Sequence, residues 1–388
     1  MTQSQPDIEA AVHKRYAVAA HQREEGLCCP VLYDKTLLEV IPAEIVERDY
    51  GCGDPTRHVR PGETVLDLGS GSGKACFLAA QVVGPAGRVI GVDINPEMLD
   101  LARRSAPVVA SRIGYANVEF RRGRIQDLAL DLDALDTHLA AHPVHDAQAA
   151  LALDHRISAL RAERPLVETG AVDVVVSNCV LNLVRPGDKR ALFGEIFRVL
   201  CRGGRAVISD IVSDEDVPDH LQHDPELWSG CVSGAMREDL FLTAFEEAGF
   251  YGIRVLERGQ EPWRTVEGIE FRSMTVEAWK GKEGPCIERK QAVVYRGPFR
   301  EVVDDDGHRL RRGVRTAVCD KTFQILSREP YREHVDLVPP HQLPQLEHSP
   351  PFACVGGTRL RDPRETKGEG YLETTAAADT CGVEGGCC

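Results

Sequence analysis

The chain predicts an α/β fold: a doubly wound, largely parallel seven-stranded sheet with helices on both faces, followed by a small C-terminal β-rich module. Three observations predict it. From Thr64 to about Leu200, apolar strand-like runs alternate with helical patterns, as in a parallel sheet. The first run, Thr64-Val-Leu-Asp67-Leu, breaks into Gly69-Ser-Gly71-Ser-Gly73 and then into a helical pattern reaching Val83. The second run, Arg88-Val-Ile-Gly-Val-Asp93, ends in an acid twenty positions after Gly73. Glycines let a ligand approach the main chain, and the helix that follows points its first amides at that ligand. An acid at the tip of the second strand is placed to hold two ribose hydroxyls.

The remaining elements follow in order. Residues 1–63 read as a helical arm, with helices over Ile8 to Gln22 and in short pieces around Leu37 and Glu44. A Gly/Pro loop, Arg48-Asp-Tyr-Gly-Cys52-Gly-Asp-Pro55, closes it. After Asp93, Asn95 is placed to cap a helix that Pro96 opens. Asn117 to Arg121 reads as the third strand. Residues 131–166 read as a surface insertion of polar helices. Ala171 to Ser177 is apolar enough for a buried parallel strand. A helix from Asp188 stops at Arg202-Gly-Gly204, and Arg205 to Asp210 is the fifth strand. A helix over Glu238 to Ala248 and strands at Ile253 to Glu257 and Glu270 to Trp279 complete a domain spanning 64–282. The β-rich module covers 285–338, with Asp306-Gly307 as a hairpin turn. The Pro- and Gly-rich stretch 339–388 reads as a flexible tail ending in cysteines.

Bulk properties exclude several function classes. A net charge of −14 speaks against a nucleic-acid partner. No apolar run has the length of a membrane span, and the N-terminus shows no secretory pattern, so a cytoplasmic location is expected; a monomer is taken as the default state, which the sequence does not itself reveal. Thirteen cysteines in a reducing compartment point to buried, metal-binding or catalytic thiols rather than disulfides. Ligands in an open α/β sheet sit beyond the carboxyl ends of the strands. Cys179 lies just past the fourth strand, and Cys231 lies in a Gly-rich break after the fifth. Cys52 is in the loop of the arm, and Cys28 and Cys29 are upstream in it. These positions are expected to converge on one mouth. Cys76, Cys201, Cys286, Cys319 and Cys354 are expected to be ordinary packing residues away from that crevice.

The glycine stretch resembles motif I of the class I S-adenosylmethionine methyltransferases, which share a Rossmann-like sheet, and Gly-Val-Asp93 resembles their motif II. The G-x-G-x-G spacing, with Lys74 where a dinucleotide motif wants no bulk, favours a single nucleoside. On the cofactor side the candidates are Asp67, Gly69, Gly71, Gly73, Asp93, Ile94, Asn178, Met98 flanking the adenine and Ile125 closing it off.

Three segments sharpen the resemblance. Arg48-Asp-Tyr-Gly-Cys52-Gly, Ser177-Asn-Cys179-Val-Leu-Asn-Leu183 and Gly230-Cys231-Val-Ser-Gly-Ala235 look like the signature segments of the arsenite methyltransferases. The likeness covers roughly 25–282 and continues more weakly through Ala292 to Tyr295 and Val318 to Thr322. It implies methyl transfer from S-adenosylmethionine to arsenite and methylated arsenicals. It places the arsenic-holding pair on Cys179 and Cys231, with Cys52 within reach of the metalloid. It places a redox pair on Cys52 with Cys28 or Cys29, served by an external thiol reductant such as thioredoxin or glutathione, and the arm becomes a lid. The chemistry agrees, because thiolates are the soft ligands that soft trivalent arsenic prefers. The insertion at 131–166 and the doubled Cys28-Cys29 depart from the pattern. Two other readings stay open: a methyltransferase for another small molecule, and a protein that sequesters arsenic without turning it over.

Overall fold

The structure is a computed structural model that describes residues 8–19, 21, 31, 33–48, 50–354 and 359–374. Cys28 and Cys29, and the tail thiols Cys381, Cys387 and Cys388, lie outside the described residues. The chain divides into two compact units, Met1–Gly281 and Lys282–Cys388.

In the first unit the elements run α1 (Ile8–Ala19), α2 (Lys35–Leu38), α3 (Ala43–Glu47), β1 (Thr64–Leu68), α4 (Lys74–Val83), β2 (Arg88–Asp93), α5 (Pro96–Ile113), β3 (Val118–Arg122), α6 (Leu132–Ala141), α7 (Ala147–Glu163), β4 (Val172–Asn178), α8 (Lys189–Val199), β5 (Leu200–Ser213), α9 (Asp219–Gln222), α10 (Pro225–Ser229), β6 (Met236–Arg237), α11 (Glu238–Glu247), β7 (Tyr251–Arg258), β8 (Arg264–Val266) and β9 (Ile269–Trp279). The main sheet runs β3-β2-β1-β4-β5-β9-β7, with β6 and β8 on its margins. The strands from β3 to β5 pair parallel, and β9 pairs antiparallel with β5 and β7. Strand order reverses between β1 and β4, where Leu68 pairs with Ser177, and that reversal opens the crevice.

Alternation along the strands explains the two layers. Val65 of β1 packs with Phe77, Leu78 and Leu99 on one face, while Leu66 and Leu68 pack with Phe193 and Phe245 on the other. Asn95 caps α5 by accepting from the amide of Met98 (3.0 Å). The stretch 131–166 forms two largely exposed helices, α6 and α7. One boundary differs: β5 begins at Leu200, not Arg205. The Gly203-Gly204 turn that looked like a helix stop is accommodated within the strand, where Gly203 takes a left-handed φ of +84° and β4 shifts register against β5 between Val172 and Val174.

The second unit contains β10 (Ala292–Tyr295), β11 (Glu301–Val303), β12 (Arg309–Arg311), β13 (Arg315–Ala317), α12 (Asp320–Leu326), β14 (Val335–Val338) and α13 (Pro363–Lys367). It holds a three-stranded sheet, β13-β10-β14, and the β11–β12 hairpin. The stretch from Pro339, expected to be flexible, is instead laced onto this module in its described part. The amide of Glu288 donates to Pro350 O (2.9 Å), that of Phe352 to Cys286 O (2.8 Å) and that of Ala317 to Arg359 O (2.7 Å). Arg361 is buried and forks onto Glu288 (2.7 and 2.9 Å). Composition alone suggested a mobile tail because it hides such edge pairing.

Candidate active site

The crevice at the strand reversal is an open cleft of about 1260 Å³, measured out to its mouth. Asp67, Gly69, Gly71, Asp93, Ile94, Met98, Ile125, Asn178 and Cys179 all line it. Asp93 braces the glycine turn, accepting from the amide of Gly71 (2.8 Å) through one oxygen and of Asn95 (2.8 Å) through the other. A side-chain carbon at Gly71 would meet nothing within 4 Å, so the main chain here is open to a ligand. Apolar walls of Met98 and Ile125 face this acid-tipped, glycine-floored cradle. That donor set suits a nucleoside.

Gly73 corrects the expectation made for it. It does not line the cleft. A Cβ there would sit 2.7 Å from the Phe120 ring and 3.1 Å from that of Phe77, so this glycine serves helix-on-strand packing. Lys74 turns away from the cradle, and its ammonium lies 3.5 Å from the centre of the Tyr33 ring.

Asn178 faces the cleft but acts on the arm. Its side-chain oxygen accepts from the amides of Cys52 (2.9 Å) and Gly53 (3.1 Å), and its amide group donates to Gly53 O (2.7 Å). This three-bond clamp seats Cys52 against the sheet. Cys52, Cys179 and Cys231 are all buried and belong to one cluster. The Cys231 thiol donates to Cys179 O (3.1 Å), and the sulfurs of Cys52 and Cys179 lie with a carboxylate oxygen of Asp210 inside 4.8 Å of one another.

Cys179 and Cys231 hold left-handed backbone conformations, with φ of +62° and +60°. Such a conformation is costly for a residue with a Cβ and persists only where the surroundings enforce it. Several groups enforce it here. Asp210 accepts from the amides of Leu181 and Ile211 (2.8 Å each). Asn182 donates to Ile211 O (2.6 Å) and Cys231 O (3.3 Å), tying the two cysteine loops together. Lys189 reaches under them to Gly234 O (2.5 Å). Gly234 is required for this approach, since a Cβ there would fall 1.9 Å from Asn182 O.

Burial sets the electrostatics. Cys231 lends Cys179 a hydrogen bond that lowers its thiol, but the Cys52 thiol and burial outweigh it and hold Cys179 well above the usual range. The hydrogen bond to Cys179, then burial, pushes Cys231 up as well. Burial raises Asp210 to about 6 and lowers Lys189 to about 8. Tyr16 of α1 places its hydroxyl 3.9 Å from the Cys231 sulfur and lines the cleft. Arg15 anchors that helix through Glu226 O (3.1 Å) and Ser229 Oγ (2.9 Å).

Sequence reasoning missed Tyr16, Asn182 and Lys189 and treated Asp210 only as a strand end. Asp210 carried a usable signal, an acid at the carboxyl end of a strand beside the crevice. The other three carried none. Cys76 is buried in α4, but its thiol donates to Asp67 (3.2 Å) of the cleft wall, so it lies nearer the crevice than expected. Cys286, Cys319 and Cys354, expected to be unrelated packing residues, come together in the second unit.

Comparison with known proteins agrees with this geometry. A family described as a methyltransferase domain matches residues 60–165 and 156–249, and one described as a domain of unknown function matches 282–371. An arsenite methyltransferase of Aquipseudomonas alcaligenes is 32% identical over 318 residues, covering 78% of this chain and 81% of its own. One from Mus musculus is 27% identical, covering 76% of this chain and 72% of its own. The crystal structure of an arsenic(III) S-adenosylmethionine methyltransferase from Chlamydomonas reinhardtii superposes with a TM-score of 0.55 at 26% identity, covering 83% of this chain and 99% of its own.

Proposed function

This chain belongs to the arsenite methyltransferases, and from that premise we propose how its residues divide the work of methylating arsenic. The enzyme transfers methyl groups from S-adenosylmethionine to trivalent arsenic. We assign the metalloid to Cys179 and Cys231, with Cys52 as the third thiol. The observation that carries this assignment is the strained, left-handed backbone at both cysteines, held at the cofactor cleft by Asp210, Asn182 and Lys189.

Asp93, Gly69 and Gly71 hold the nucleoside end of the cofactor, with Met98 and Ile125 against its base. When bound, S-adenosylmethionine supplies an electrophilic methyl group on a sulfonium. The thiols hold arsenic as a pyramid with its lone pair directed out of their plane, and that pair becomes the arsenic–carbon bond. Most of the barrier reduction is positional, and no proton leaves arsenic, so the site needs no strong base. The Asn178 clamp and Tyr16 close the acceptor side and exclude water.

Methylation raises the formal oxidation state of arsenic from three to five, a loss of two electrons. Two thiols return them by closing to a disulfide and releasing two protons, and an external thiol, thioredoxin or glutathione, reopens it by exchange. Cys52 with Cys28 or Cys29 is the pair assigned to this step. We take the enzyme to be a cytoplasmic monomer, a reading that sedimentation tests. No helix among the described residues is long and apolar enough to cross a membrane.

The decisive experiment incubates purified protein with arsenite, S-adenosylmethionine and a dithiol reductant, and reads methylated arsenicals by mass spectrometry. Methylated products that vanish in Cys179→Ser support the assignment. Unchanged turnover in that variant overturns it.

A further inference from the structure

Three thiols also meet in the second unit, well separated in sequence: Cys286, Cys319 and Cys354. Their sulfurs all lie within 4.8 Å of one another. A soft ion bonded at about 2.3 Å sets its sulfur ligands roughly 3.8 Å apart, so small side-chain adjustments bring these three around one atom. The main chain holds the cluster together. The amide of Phe352 donates to Cys286 O (2.8 Å), and that of Asp320 donates to Ile287 O (2.8 Å). Cys319 caps α12, its sulfur accepting from the amide of Thr322 (3.3 Å). Phe352 packs over Cys286 and Cys319, while Cys354 is exposed and leaves an approach for a ligand.

We propose that Cys286, Cys319 and Cys354 form a second binding site for trivalent arsenic, distinct from the catalytic thiols. The donor set chooses the ligand. Among the described residues, the cluster has three thiols and no histidine or carboxylate within ligand distance. A structural zinc site is closed by four protein ligands. Pyramidal arsenic needs three, and its lone pair fills the fourth direction. The thiols need not ionise first. Partial desolvation of its sulfur against the cluster, then the neighbouring thiols of Cys286 and Cys319, holds Cys354 above the ordinary thiol range. Each S–H proton leaves with one hydroxyl of arsenic trihydroxide, giving three arsenic–sulfur bonds and three waters with no change of oxidation state. The described residues of this unit contain no nucleoside cradle, so the site retains arsenic without methylating it.

The test uses the full-length chain with Cys179, Cys231, Cys381, Cys387 and Cys388 all replaced by serine. The reduced protein is equilibrated with arsenite, freed of excess ligand and analysed for arsenic and zinc. Adding Cys354→Ser is expected to remove one equivalent of arsenic per chain, and Cys286→Ser to do the same, whereas Cys201→Ser removes none. Because Cys354 is exposed, that variant keeps its fold, which circular dichroism checks. In the otherwise native enzyme, Cys354→Ser leaves the methylation rate at saturating arsenite unchanged, so this proposal and the catalytic assignment fail separately. Arsenic content indifferent to Cys354→Ser overturns the inference. So does one zinc per chain that depends on Cys354 and that arsenite does not displace.

Discussion

The two thiol clusters share a ligand set and differ in strain. Cys179 and Cys231 sit in left-handed backbone, braced by a buried acid, a buried lysine and an asparagine that ties their loops. Cys319 sits in extended backbone at φ −72°, as a helix cap. The strained cluster adjoins a cleft with a glycine turn and an acid-tipped strand. Holding a soft atom needs three sulfurs in reach. Aiming it at a methyl donor needs a fixed direction, which is worth a conformation that the sequence would not adopt alone.

The largest test of that difference replaces a thiol proposed to hold the substrate arsenic. Cys179→Ser or Cys231→Ser is expected to abolish methylation with a small change in melting temperature, whereas Cys319→Ser leaves turnover at saturating arsenite in place. Residual activity in either first-unit variant would erase the distinction. Next in size is the cradle. Asp93→Ala removes two hydrogen bonds to a carboxylate and the ribose-holding role proposed for it, and is expected to weaken cofactor binding by about 2 kcal/mol, read by calorimetry. Asn178→Ala releases the clamp on the Cys52–Gly53 loop. It is expected to cost about 1–3 kcal/mol of stability and to lower turnover more than cofactor affinity, since the clamp acts on Cys52 and not on the nucleoside.

A pH series isolates the bracing acid. Asp210 titrates at about 6 in the folded protein against 3.8 unfolded, so the folded state binds more protons between these values. Its contribution therefore favours folding at low pH and fades as pH rises through that window. The melting temperature of the native chain should fall relative to Asp210→Asn between about pH 4 and pH 6. Parallel curves would remove the buried carboxyl from the account. The smallest effect separates the two backbones directly. Cys179→Gly should be about 1 kcal/mol more stable than Cys179→Ala, because glycine relieves the left-handed strain. At Cys319 the order should reverse, because glycine there only adds unfolded-state entropy.

Local pattern carried much of this protein. The strand, the glycine turn and Asp93 are set by short-range periodicity and spacing, and they specify a nucleoside-binding α/β sheet. Cys179 was legible because a strand's carboxyl end in such a sheet faces the crevice whatever follows, and Cys231 because it lies in a Gly-rich break after the fifth strand. The sequence did not reveal that Gly73 packs against Phe120, that Asn178 holds the Cys52–Gly53 loop, that Tyr16 comes up to the Cys231 sulfur, or that Lys189 bonds Gly234 O beneath it. Nor did it show Cys286, Cys319 and Cys354 as one cluster. Each of these depends on contacts between residues tens to more than a hundred positions apart, or on which way one side chain points. Periodicity carries no record of either, and only the folding of the chain into three dimensions decides them.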